Sequence, residues 1–200
     1  MDKQVLFKLG YGLYVLTVSG GKDNGCIINT VMQVTDDPVR VIVAVNKNNL
    51  THDILQYTKA FNISVLTEQS SFELYRHFGY QSGKDVEKFQ NYENCARSEN
   101  GIFYITAGTN AYLSGRVTES LDCGTHTLFL ADVVEAQVLG DGKSVTYENY
   151  HAHIKPQPKE ESKKTGWRCK VCGYIYEGEE LPADFICPLC KHGAVDFEPL

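Results

Sequence analysis

Apolar and polar positions alternate with a period of two, or give way to β-branched runs, along most of residues 1–153. Helical periodicity is rare there. GLYVLTVSG is an apolar run that stops at Gly20-Gly21, and the following Asp23-Asn24-Gly25 suits a hairpin turn because Asn and Gly tolerate positive φ. PVRVIVAVN, FNISVLT, GIFYIT, AYLSGRVTES and HTLFLADVVEAQVL are further strand candidates. Two stretches depart from the pattern. Residues 49–60 read as a helix, and Ser70-Ser71-Phe72-Glu73 has the spacing of a capping box before a short second one. Many strands at short spacing with few helices predict a mainly β domain, a closed barrel or sandwich.

The pattern fails at residues 154–166, IKPQPKEESKKTG. Two prolines, four lysines and two glutamates leave almost nothing to bury, so this segment reads as a linker. The stretch from 155 to 166 would span at most about 40 Å fully extended. It separates a large domain, residues 1–153, from a small one, residues 167–200. The linker carries a net charge of +2 and the small domain −3.

Composition narrows the classes of function. The 200-residue chain is 42% hydrophobic with a formal charge of −6 and no long basic run, which gives nucleic acid no footing as a partner. No apolar run approaches the roughly 18 residues that span a bilayer, and the N-terminus lacks the apolar core of a signal peptide. The expected location is the cytoplasm. Of seven cysteines, Cys26, Cys95 and Cys123 are scattered and read as small buried or half-buried residues. The other four form two CxxC pairs, Cys169/Cys172 and Cys187/Cys190, separated by fourteen residues. Two such loops facing each other offer four thiolates in a tetrahedron, which suits zinc or iron; spacing alone does not choose.

The residues around these cysteines do. WRCKVCGYIY, then CPLC and Phe197, resembles rubredoxin over about 34 residues, with its CxxCGYxY and CPxC elements and aromatic core. The resemblance implies one iron for single-electron transfer. Trp167, Tyr174, Tyr176, Phe185 and Phe197 would fill a core too small to hold without metal. The segment between the cysteine pairs is shorter than in free-standing rubredoxins and resembles the compact modules fused to other domains. Lys191-His192-Gly193 stands where the family places glycine directly after the last cysteine.

An iron–thiolate centre carries one electron, whereas a pyridine nucleotide gives up two as hydride, so a flavin is the natural converter. Residues 1–153 contain neither GxGxxG after a strand nor a Walker motif. They place polar clusters at strand ends: Asn29-Thr30-Val31-Met32-Gln33, Asn46-Lys47-Asn48-Asn49-Leu50-Thr51-His52 and Ser82-Gly83-Lys84. Singly, each reads as loop or cap chemistry. Their order, with GLYVLTVSGGKDNGCIINTVMQVTDDPVRVIVAVNKNNLTHDIL and CGTHTLF, resembles the flavin reductase family with an FMN-binding split-barrel fold. The two parts together resemble the flavoprotein–rubredoxin fusions of anaerobic bacteria.

The resemblance implies that Asn29, Thr30 and Gln33 bond the polar edge of the isoalloxazine. Asn46, Lys47, Asn48, Thr51 and His52 would hold ribityl and phosphate, with Ser82, Gly83 and Lys84 completing the anion site. A lysine, a hydroxyl and a helix N-terminus near Asn49 also form an anion site on physical grounds. His126 would lie near the nicotinamide; a structural histidine is an equal reading. The expected protein is an NAD(P)H oxidoreductase, a homodimer, that takes hydride on FMN and passes single electrons through its own iron. The expected acceptor is a flavodiiron oxygen or nitric oxide reductase. The rivals are a flavin or ferric reductase with an accessory iron domain, and a non-enzymatic zinc-ribbon adaptor.

Overall fold

The computed structural model describes residues 5, 8–156, 166–189 and 191–200. The chain divides into two compact units, Met1–Pro156 and Gln157–Leu200. Residues 157–165 of the charged linker, and Cys190, lie outside the described residues.

The first unit is built on strands β1 (Tyr14–Ser19), β2 (Asp23–Ile28), β3 (Val31–Asp36), β4 (Val39–Asn46), β5 (Ala60–Leu66), β8 (Thr109–Asp122) and β9 (His126–Val138). Among the described residues these form one antiparallel sheet in the order β2-β1-β5-β8-β9-β4-β3. A short pair, β6 (Cys95–Arg97) and β7 (Phe103–Ile105), stands apart. Helix α1 (Leu50–Thr58) follows β4, and α2 (Phe72–Gly79) follows β5.

One core joins Val41, Val43 and Val45 of β4 to Leu16 and Val18 of β1, Cys26 and Ile28 of β2, Phe61 and Ile63 of β5, and Ile54 and Leu55 of α1. Strands from opposite ends of the sheet meet in it, so the sheet curls into a barrel with α1 against one end. The long β8–β9 ladder shifts register between Ser114 and Gly115 and again between Val117 and Glu119. Such bulges supply the local bend that curling requires. A second core packs Val15, Leu66, Leu74, Tyr75, Phe78, Ile105 and Tyr150 on the other side of β1 and β5. These two strands are therefore buried on both faces, with Thr17, Asn62 and Ser64 among the buried residues, whereas β4 is buried only at alternate positions. Gly115 marks a close approach: a Cβ there would fall 2.3 Å from the ring of buried Phe61. Gly115→Ala is expected to cost about 1–3 kcal/mol, read as a lower denaturant midpoint for the first unit.

Three local expectations are corrected. Asp23-Asn24-Gly25 is not the hairpin turn. The turn is Gly20–Lys22, with Gly21 at φ +71 and the Gly20 N–H on the Lys22 carbonyl. Asp23, Asn24 and Gly25 pair with Ser19, Val18 and Thr17 inside the ladder. Ser70 and Glu73 form no capping box. The N-cap is Ser71, Ser70 Oγ reaches the Thr67 and Gly108 carbonyls, and Glu73 pairs with Arg76. The segment from Val31 onward is a strand, β3, rather than only a polar strand end. It pairs with β4 along one edge and is half-exposed or exposed throughout, so it carries no alternation signal.

In the second unit β10 (Trp167–Cys169) pairs with β11 (Ile175–Tyr176) and β12 (Phe197–Pro199). Cys169, Cys187 and Phe197 are its buried centre, packed by Trp167, Tyr174, Tyr176, Leu181 and Phe185. The Phe185 and Phe197 rings meet edge to face at 5.4 Å. Among the described residues no helix is long and apolar enough to cross a membrane.

Candidate functional site

Two adjoining cavities lie at the α1 end of the barrel and share Ile27 and Asn49 in their walls. The first, about 260 Å³, is enclosed by Asn24 and Cys26 of β2, the α1 N-terminus at Asn48–Thr51, and the turn after α2 at Gly79–Gly83. The second, about 210 Å³, is enclosed by Leu13, Ile28, Asn29, Ala44, Asn46, His126 and Tyr147. Together they have the size of a small-molecule site.

Helix α1 is preceded by Asn49, whose side chain makes no capping bond; the Asn49 and His52 amides bond the Asn46 and Asn49 carbonyls, which leaves those of Leu50 and Thr51, both in the first cavity's wall, for an anion. Thr51 is buried and accepts a bond from Asn24 Nδ2 at 3.0 Å. Asn24 is itself 1% exposed, and its Oδ1 has no partner. A half-turn of that amide would keep the bond, with the Thr51 hydroxyl now donating, and present Nδ2 as a donor instead. Gly83 passes directly over Asn24: a Cβ at Gly83 would lie 2.4 Å from Asn24 Oδ1. The chain thus forms a cradle of amides and hydroxyls whose walls include no carboxylate, which fits a phosphate group.

The structure brings Asn48, Thr51, Ser82 and Gly83 to the first cavity and Asn29, Asn46 and His126 to the second. His126 Nδ1 is 2.9 Å from Thr125 Oγ1. Five other candidates line neither cavity. Thr30 bonds the Asn29 side chain, and Gln33 is exposed on β3, donating to the Thr35 carbonyl. Lys47 Nζ pairs with Asp122 at 2.6 Å and holds that carboxyl below its usual range. His52 Nε2 meets Thr127 Oγ1 at 2.9 Å, tying α1 to β9. Lys84 is exposed, with its backbone N–H on Ser82 Oγ. Sequence reading missed Asn24, Tyr80, Gln81 and Lys88. For Lys88 the available signal was a single lysine between Val86 and Phe89 in an otherwise polar stretch.

In the small unit the Sγ atoms of Cys169, Cys172 and Cys187 lie within 4.8 Å of one another, and Cys172 and Cys187 are 3.5 Å apart. A tetrahedron of bonds about 2.3 Å long has edges of about 3.8 Å, so these three fit one metal. Cys190, the fourth thiolate of the pattern, is outside the described residues. The two loops repeat each other's hydrogen bonds. Gly173 N–H bonds the Cys169 carbonyl and Lys191 N–H the Cys187 carbonyl; Cys169 N–H bonds Tyr174, and Cys187 N–H bonds His192. Gly173 has φ +78 and Lys191, in the matching place, φ +63. The departure at Lys191 therefore puts a side chain in left-handed backbone. Lys191→Gly is expected to stabilise this unit by about 0.5–1 kcal/mol, read as a higher denaturant midpoint for loss of the metal–thiolate colour.

Residues 6–155 match the family described as flavin reductase like domain, and residues 167–198 match a rubrerythrin, rubredoxin-like domain. The chain is 35% identical to the high molecular weight rubredoxin of Moorella thermoacetica, over 230 aligned positions that cover 100% of both. It is 38% identical to the NAD(P)H ferric-chelate reductase of Archaeoglobus fulgidus over 76% of this chain and 89% of that one. Among solved structures, the NADH:FAD oxidoreductase SgcE6 of Streptomyces globisporus C-1027 superposes with a TM-score of 0.65 at 25% identity, covering 72% of this chain and 88% of the other.

Proposed function

Because the chain belongs to the flavin reductase-like family and ends in a rubredoxin-like domain, we propose that it is an NAD(P)H-dependent flavoprotein oxidoreductase with its own iron outlet. FMN bound in the first unit would supply the conversion of a hydride into single electrons, and Cys169, Cys172, Cys187 and Cys190 would hold an iron able to take up one electron at a time. Residues 1–153 are the flavin part, 154–166 the tether and 167–200 the outlet. The observation that carries this reading is the coexistence, in one chain, of a pair of adjoining cavities, the first of which fits a phosphate group, and a cluster of cysteines.

Within the first unit, Asn48, Thr51, Ser82 and Gly83 bind the phosphate and ribityl end. Asn29 and Asn46 orient the ring end, and His126 borders the place where the nicotinamide is received. Lys47 and His52 act at one remove, fixing the loop at Asp122 and the start of α1. Cys172 is exposed while Cys169 and Cys187 are buried, and exposed Val171 and Leu189 lie within the two CxxC sequences. The acceptor meets iron at that edge. We assign the acceptor role to a flavodiiron oxygen or nitric oxide reductase, on the resemblance of the two-part chain to flavoprotein–rubredoxin fusions of anaerobic bacteria. The working form is a homodimer; exposed Met32 and Val34 on edge strand β3, with Val39 beside them, supply apolar surface for a second copy.

A second reading is favoured by the 38% identity to a ferric-chelate reductase. There the first unit reduces the final acceptor directly and iron is accessory. Steady-state assays with NADH separate the two. In the main reading, ferric-chelate reduction is slow beside electron delivery through iron to a flavodiiron acceptor. Fast chelate reduction that is indifferent to removal of iron would support the second. A purified protein holding zinc and no flavin would exclude both.

A further inference from the structure

Lys88 follows the turn that covers the first cavity, and it is 2% exposed. Its Nζ donates to the Gly25 carbonyl at 2.8 Å and the Phe78 carbonyl at 2.9 Å. An ammonium has three N–H groups, and these neutral acceptors use two. Among the described residues no carboxylate pairs with it within 4.0 Å, and none lines the cavity whose wall it joins. Burial pushes its pKa below the ordinary lysine value. Burial pushes the neighbouring Cys26 thiol up, and the interaction between the two groups opposes the burial effect on Lys88. A buried cation without an anion is costly, and the described residues place none beside it.

Asn24 meets the same cavity from β2, buried and with an unpartnered amide oxygen. Helix α1, nine residues long, points its uncapped N-terminus there. A cation, an amide with spare capacity and a helix N-terminus converge on one space that no carboxylate lines among the described residues.

We propose that Lys88 is the buried counter-charge for the flavin's terminal phosphate, with Asn24 as the neutral floor beneath it. This rests on reading the first cavity as the phosphate end of the flavin site. The bland role of Lys88 is a strap: its bond to Phe78 ties the last turn of α2, and so the covering turn, to β2. A strap would serve every flavin alike, whereas a counter-charge serves only flavins that carry phosphate.

The test uses full-length protein freed of flavin, titrated separately with FMN and with riboflavin while flavin fluorescence is followed. The wild type is expected to bind FMN more tightly. Lys88→Met is expected to weaken FMN by about ten- to a hundredfold, the worth of a hydrogen bond to a charged group, and to leave riboflavin binding within about twofold. An unchanged preference for FMN would overturn the proposal. So would an equal loss of both flavins in a folded variant, which marks a strap. Should Lys88→Met not fold, Asn24→Asp decides: a carboxylate in the floor would repel phosphate, so FMN binding falls and riboflavin binding stays. Retained FMN binding in that variant overturns the proposal. A wild type that binds both flavins equally instead refutes the phosphate-end reading itself.

Discussion

Cys187→Ser is expected to abolish iron binding and unfold the second unit while leaving the first intact. Cys187 is fully buried and serves twice, as thiolate and as one of the three residues at the centre of that unit's core. So few buried side chains cannot offset the entropy of ordering more than thirty residues, and metal ligation supplies the difference. Structural metal sites of this kind contribute on the order of 10 kcal/mol, far beyond what the Phe185–Phe197 and Tyr176–Phe185 ring contacts return. Elemental analysis should fall from one iron per chain to none, and the ferric–thiolate absorption should vanish. Flavin content and NAD(P)H-driven flavin reduction should stay within about twofold of wild type. A Cys187→Ser protein that keeps a full iron and its colour would contradict the ligand assignment.

The second large effect comes from truncation after Pro156. The first unit has its own two cores, drawn from residues that precede this point. A relative whose length is 89% covered by 76% of this chain shows that such a unit occurs without the second. The truncated protein is expected to keep flavin and accept electrons from NAD(P)H at the full-length rate. Electron delivery to a flavodiiron acceptor should drop to background, and adding the separate second unit should restore only a concentration-dependent fraction, because the tether no longer holds it near. The readout is oxygen or nitric oxide consumption by the acceptor. Undiminished delivery by the truncated protein would favour the second reading, in which iron is accessory.

Much of this architecture was legible before the structure. β1, β4, β5, β8 and β9 announce themselves because burial on one or both faces writes an apolar pattern into the sequence. The CxxC pairs are legible because thiolate geometry needs close spacing. What escaped did so for physical reasons. β3 sits at an edge with no buried face, so nothing marks it as a strand. Asn24 was read as a turn residue from its backbone tolerance, whereas its ladder partner Val18 and its place under Gly83 decide its role. Lys88 is not marked as buried by any sequence pattern. Its burial depends on carbonyls 63 and 10 residues away, Gly25 and Phe78, which no local window contains. Lys47 and His52 carried the right chemistry for an anion site, but Asp122 and Thr127, 75 residues onward, engage them. Candidate binding residues named by type and order alone therefore need the long-range partner to be known before their role can be assigned.

In the proposed function, one chain converts hydride into single electrons and sends them out through its own iron. The decisive measurement is anaerobic stopped-flow mixing of the full-length protein with NADH, followed at flavin and ferric–thiolate wavelengths together. Flavin bleaching followed by loss of the ferric–thiolate colour, at a rate independent of protein concentration, is the predicted result. Flavin that bleaches while the iron stays ferric would contradict it.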